Sequence, residues 1–147
     1  MLDAIDGKDT LKVSSDVACG VVISMPDYPY NNVTKKENSG YPLFGMTEED
    51  LSGCIHASEV QMGKGPTFED GKLKFNQQML VTAGELVCTV SGTGPTVSAA
   101  SEKAYKNIKN KIEVPNSIMY RTDIGCRLED QLPQLNKMGF CKDMSYG

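Results

Sequence analysis

The chain carries a single histidine, His56, and its five cysteines (Cys19, Cys54, Cys88, Cys126 and Cys141) stand singly, with no Cys-x-x-Cys pair. A histidine-based metal cluster is thereby ruled out, and the cysteine spacing suggests no zinc site. No apolar run approaches the length of a membrane span. Met1-Leu2-Asp3-Ala4-Ile5-Asp6 is acidic and lacks the pattern of a secretory leader. An odd number of unpaired cysteines without a leader predicts reduced, mostly buried thiols in a cytoplasmic protein with no membrane partner. Also missing is a phosphate-cradling Gly-x-x-x-x-Gly-Lys loop. A cationic surplus is missing too: 15 basic residues face 19 acidic ones, which argues against a nucleic-acid partner. The densest basic run, Lys103, Lys106, Lys109 and Lys111, reads as the solvated face of a helix.

What is present is globular composition, 39% hydrophobic and 23% charged, in a length that suits one domain. Val17–Met25 is a nearly continuous run of small and β-branched residues and predicts a strand buried on both faces. The prolines of Pro26-Asp27-Tyr28-Pro29 end it in a turn, and polar residues 31–41 read as a mobile loop. Pro42–Gly45 fits a short edge strand. Thr47 followed by Glu48, Glu49 and Asp50 is a helix start, closed by Gly53. Cys54–Val60 alternates as a strand; Gly63–Lys72 reads as a turn-rich loop ending in a tight Asp70-Gly71 turn. Leu73–Val81 and Leu86–Ser91 read as a strand pair joined by a turn at Thr82–Glu85. The strongest helix begins at an N-cap Thr96, presents Val97, Ala100, Ala104, Ile108 and Ile112 on one face, and breaks before Pro115. Beyond it, the tail is polar with one apolar patch at Leu132, Leu135, Met138 and Phe140. Short strands joined mostly as hairpins plus one main helix give the fold class: α+β with a mostly antiparallel sheet.

The most concentrated chemistry lies in Tyr120-Arg121-Thr122-Asp123-Ile124-Gly125-Cys126-Arg127. Two guanidiniums with a carboxylate between them can orient one another and still offer donors to an anion. The plainer reading is a surface loop of paired charges. Cys126 has a cationic neighbour that can lower its pKa, but no base accompanies it, and a structural thiol is the simpler reading.

The order of motifs resembles one family. Ala18-Cys19-Gly20-Val21-Val22-Ile23-Ser24 with the Tyr28-Pro29 turn looks like the opening strand of the C-terminal domain of phosphoribosylamine–glycine ligase, also called glycinamide ribonucleotide synthetase. Cys54-Ile55-His56-Ala57 resembles that family's His-Ala-Gly-Thr strand. Val81–Val90 is similar to its Thr-(small)-Gly-Gly-Arg-Val-Leu strand pair, and Thr96–Tyr105 to its helix ending in Ala-Tyr. Tyr120–Arg127 matches its Tyr-Arg-x-Asp-Ile-Gly-x-Arg signature position for position. The resemblance divides the chain into a lead-in (1–15), the family-like domain (16–128) and a tail (129–147), and it implies the rudiment single hybrid motif as the fold.

The resemblance further implies an ATP-dependent ligase that joins glycine to 5-phosphoribosylamine in de novo purine synthesis. ATP and Mg2+ belong to ATP-grasp domains outside this chain, so no cofactor and no catalytic residue are expected within it. Those ATP-grasp domains, or a subunit carrying them, are the implied partner, with glycine and phosphoribosylamine as small-molecule substrates. Arg121, Asp123, Gly125, Arg127 and His56 are the implied substrate-binding or interdomain residues. For Arg121 and Asp123, an interdomain clamp that touches no ligand is the alternative; for His56, it is a satisfied core or rim histidine. A diverged binding or docking module without catalysis is the alternative function. Ser58 and Glu59 stand where the family has Gly-Thr, Glu85 stands where it has arginine, and Ala83 replaces a glycine or small residue. A carboxylate directed at an anion site would repel substrate.

Overall fold

A computed structural model describes residues 5–10, 12–26, 28–29, 38–114 and 118–147. Most of the loop expected at 31–41 and the break at Pro115 lie outside the described residues. Among the described residues, six strands and three helices follow in chain order: β1 Val17–Ser24, β2 Ser39–Pro42, α1 Glu48–Gly53, β3 Ile55–Ala57, β4 Val60–Glu69, β5 Lys72–Ala83, β6 Leu86–Gly94, α2 Val97–Lys111 and α3 Leu128–Lys137. They make two antiparallel three-stranded sheets, ordered β1-β6-β3 and β2-β5-β4, in agreement with the α+β class. No helix is long and apolar enough to cross a membrane among the described residues.

Helix α2 covers one face of the first sheet, and the core lies between them. Val21, Ile23, Ile55, Val87 and Val90 from the strands meet Ala100, Ala104 and Ile108 from the helix, all of them buried. The helical spacing in the sequence anticipates this face, and Thr96 caps it as expected, its hydroxyl accepting from Ala99 N at 3.2 Å. The sheet and helix approach so closely that Gly92 of β6 has no room for a side chain. A Cβ there falls far inside van der Waals contact with Ala104 N and Ala100 O.

Several expectations change. β1 is buried on one face only: Cys19, Val21 and Ile23 point inward, while Val22 is 43% exposed. Ala18, Gly20 and Val22 on the open face are small or β-branched, so the run read as continuous. Residues 63–69 are strand, not loop. The glycines that suggested a loop sit beneath cross-strand neighbours: Val81 packs over Gly63 and Met79 over Gly65. Pro66 falls where the β4–β5 register shifts between Gly65 and Thr67, a position that spares a ladder hydrogen bond. The hairpin turn stands, with Asp70 and Gly71 both at positive φ. β5 and β6, expected to pair, belong to different sheets, and the short Gly84-Glu85 connection carries the chain from one to the other. The edge strand lies at 39–42 rather than 42–45; Phe44 instead makes an isolated bridge to Glu113. The strand read at Cys54–Val60 splits into β3 and the start of β4. Of the five thiols, only Cys19 and Cys88 are buried.

Asp50 and Lys111 fasten α1 to the end of α2. Asp50 Oδ2 accepts from Thr47 N at 3.1 Å and from Thr47 Oγ1 at 2.7 Å, closing a capping box, and Oδ1 pairs with Lys111 Nζ. Lys111 is therefore a partner in an ion pair rather than part of a free solvated face. The hydrogen bond from Lys111, then those from Thr47, hold the Asp50 carboxyl down at about 2, against an ordinary 3.8.

Two outcomes follow from this packing. Gly92→Ala is expected to lower the unfolding free energy by about 1–3 kcal/mol, because the helix must move off the sheet; chemical denaturation measures it, and an unchanged midpoint contradicts the close seating. Asp50 has a depressed folded-state pKa, so its contribution is complete above about pH 4 and is lost as pH falls towards 2. Thermal melts across that range are expected to show a steeper acid loss for the natural sequence than for Asp50→Asn.

Candidate functional site

After α2 the chain is stitched back to the body twice. Glu113 and Phe44 exchange backbone hydrogen bonds of 2.8 and 3.1 Å, and Met119 and Ser24 do the same at 2.7 and 2.9 Å. The second pair lays residues 118–120 along the open edge of β1, so that Tyr120–Arg127 emerges beside α2. There it is held by side chains from one helical face. Tyr105 Oη donates to Arg121 O at 2.8 Å and accepts from Ile124 N at 3.0 Å. Ser101 Oγ donates to Ile124 O at 3.1 Å. Gly125 turns at φ +92 against Val97 and Ser101, a left-handed conformation that favours glycine.

Within the loop, Arg121 grips Asp123 bidentately: Nε donates to Oδ1 at 2.8 Å and Nη2 to Oδ2 at 2.6 Å. The hydrogen bond from Arg121 lowers the Asp123 pKa, and the same bond raises that of Arg121. Both side chains are more than half exposed, so the pair adds little to stability and acts chiefly to fix orientation. The Arg127 side chain makes no hydrogen bond or ion pair among the described residues and reaches Asp123 only through space. Arg121, Asp123, Gly125 and Arg127 together line a shallow hollow of about 200 Å³ with Ile124 and Leu128. It presents two cations against one carboxylate that is already engaged, and so suits an anion.

His56 is not part of this cluster. It sits exposed on β3, its Nε2 3.0 Å from Ser91 Oγ, opposite Thr89 of β6. Met119 pairs with β1, so β1 and β6 stand between the two sites. Three inter-strand steps, about 14 Å, separate His56 from Met119, where the chain leaves the sheet for the arginine loop. The structure therefore gathers four of the five sequence candidates and sets the fifth apart.

Glu59 and Glu85, the acidic departures, are not in the hollow either. Glu59 Oε2 accepts from Leu86 N at 3.0 Å and folds over Gly84, while its backbone bonds Leu86 O and Ala83 N. It pins the crossing between the two sheets. Glu85 uses its backbone carbonyl to accept from Met25 N at 2.8 Å. Cys126 is exposed on the rim of a larger groove of about 610 Å³, among Tyr105, Tyr120, Lys106 and Tyr146.

Sequence reasoning missed the anchors Ser101 and Tyr105, although their i, i+4 spacing with Val97 was visible. It also missed the tail. Residues 128–137 form α3 with Leu132 buried, and the chain then returns so that Ser145 O and Tyr146 O accept from Val97 N and Ser98 N at 3.0 and 2.7 Å. The apolar patch at Leu132 and Leu135 was the signal, but Met138 and Phe140 stay exposed. No group of three or more His, Cys, Asp or Glu is placed to hold a metal among the described residues. Asp123, the one carboxylate in the hollow, is engaged by Arg121, so the hollow's donor set does not fit Mg2+.

Glu59→Ala is expected to cost about 1–2 kcal/mol by leaving Leu86 N without its acceptor; equilibrium unfolding reads the change, and a neutral substitution contradicts the pinning role.

A family model described as phosphoribosylglycinamide synthetase, C domain, matches residues 18–127, from within β1 to the last residue of the arginine loop. No curated protein matches the chain.

Proposed function

We propose, starting from the fact that this chain belongs to the phosphoribosylglycinamide synthetase C-domain family, that it supplies one wall of a substrate cleft in a phosphoribosylamine–glycine ligase. That reaction joins glycine to 5-phosphoribosylamine, with ATP converted to ADP and phosphate. In this reading ATP and Mg2+ are held by ATP-grasp domains, and this chain contributes no catalytic group. Its role is to bind and orient an anionic part of the substrates. The observation that carries the reading is the hollow in which Arg121 and Arg127 converge, one guanidinium fixed by Asp123 and the other unengaged among the described residues. Fork-shaped donors suit phosphate and carboxylate oxygens, and a guanidinium with donors to spare has most to gain from such a ligand.

A second reading has an observation of its own. The Arg121–Asp123 pair is already closed and exposed, as a charged clamp for the surface of an ATP-grasp domain would be. In that case the loop docks and does not touch substrate.

Titration calorimetry with glycinamide ribonucleotide separates the two. The chain is expected to bind it without ATP, and Arg127→Ala to weaken binding by about 10- to 100-fold, the worth of one charge-assisted hydrogen bond. Absent binding by the chain, together with Arg121-dependent capture of purified ATP-grasp domains, favours the clamp. Failure of both assays overturns the proposal. Given ATP, glycine and phosphoribosylamine together, the chain alone is expected to release no ADP.

A further inference from the structure

The exposed Arg121–Asp123 pair is too weak to hold its own loop in place, since solvated ion pairs contribute little. Something else must fix the backbone from which both guanidiniums project. The candidates are few, because the loop meets the helix through a small set of polar contacts, and they converge on one side chain.

We infer that Tyr105 is a positioning residue of the arginine loop, its hydroxyl acting as the pin that ties Arg121 to Ile124 and so sets Arg121, Asp123 and Arg127 around their shared hollow. The inference rests on the anion-binding reading above and extends it. One oxygen serves both ends of a four-residue arch, donating to Arg121 O at 2.8 Å and accepting from Ile124 N at 3.0 Å. A tyrosine hydroxyl can do both at once, and no apolar side chain can do either. Only Thr122 and Asp123 lie between the pinned groups. Asp123 is thereby placed with its carboxylate across the fork of Arg121. On the far side of the pin, Ser101 takes Ile124 O at 3.1 Å, so both polar groups of Ile124 are bound to the same helix. Val97, Ser101 and Tyr105 recur every four residues and form one rail along α2. Gly125 rests on the first two, and the loop leaves the rail there towards Arg127.

The ring is held as well as the hydroxyl. Tyr105 is half-buried beside fully buried Ala104, and its ring centroid lies 6.3 Å from that of Tyr120. Burial raises the pKa of the phenol, so the proton donated to Arg121 O is retained across the neutral range. The pin is therefore insensitive to pH across the neutral range.

Tyr105→Phe keeps the ring and removes only the pin. Amide hydrogen exchange on the whole chain is expected to speed up at Ile124 by about tenfold, with Ala104 and Ile108 unchanged. Affinity for glycinamide ribonucleotide is expected to fall by a similar factor, and Tyr120→Phe to change neither quantity. Unchanged exchange at Ile124 overturns the pin. Faster exchange with undiminished affinity overturns the positioning role and leaves a merely structural hydrogen bond. If the natural chain binds neither glycinamide ribonucleotide nor ribose 5-phosphate, the anion-binding reading fails by itself, and exchange at Ile124 alone then decides whether Tyr105 sets the loop.

Discussion

Helix α2 lies against β6 with no space for a side chain at Gly92, and both the core of the β1-β6-β3 sheet and the arginine loop take their positions from that contact. The seating buries Ala100, Ala104 and Ile108 over the β1-β6-β3 sheet. It also fixes the flank of the helix that carries Val97, Ser101 and Tyr105. Because small residues face the sheet, the helix comes close enough for its flank to reach the chain that returns along β1. A bulkier residue at Ala100 or Ala104 would lift the helix and move the arginine loop with it. The core and the candidate site are thus two faces of one helix, and their geometries are not independent.

Much of this was legible in the sequence. The buried face of α2, its Thr96 cap, the Asp70-Gly71 turn and the Tyr120–Arg127 cluster all follow from local rules of spacing, capping and charge. What failed depends on neighbours remote in sequence. Gly63 and Gly65 read as loop because their partners, Val81 and Met79, are known only once β4 and β5 are paired. Thr82–Glu85 looks like a hairpin turn, yet it passes between sheets because Glu59, more than twenty residues earlier, caps Leu86 N. The same carboxylate had looked like an intruder near an anion site. Composition cannot distinguish a carboxylate that faces a ligand from one folded over a backbone turn.

The electrostatics of the loop divide the labour between its arginines. Arg121 spends its fork on Asp123 and gains a fixed direction. Arg127, acting on that carboxylate only through space, has donors that no group among the described residues takes up. A cluster of two free guanidiniums would repel itself in the absence of ligand; one shared carboxylate reduces that repulsion without filling the hollow. His56 belongs to a different environment, bound to Ser91 at the opposite edge of the sheet, and in this chain it takes no part in the arrangement.

The tail extends this logic beyond the residues that the family model covers. Thr96 satisfies the amide of Ala99, which leaves the first amides of α2 in need of acceptors. Ser145 and Tyr146 supply two carbonyls to Val97 and Ser98, and Leu132 of α3 is buried on the way. The first turn of α2 is therefore closed by the far end of the chain, and that same turn supports Gly125 through Val97 and Ser101. The rail that positions the arginine loop is anchored at Gly92 by close packing and at its start by the tail. Tyr105, next to Ala104 at the first anchor and about two turns from the second, inherits the rigidity of both.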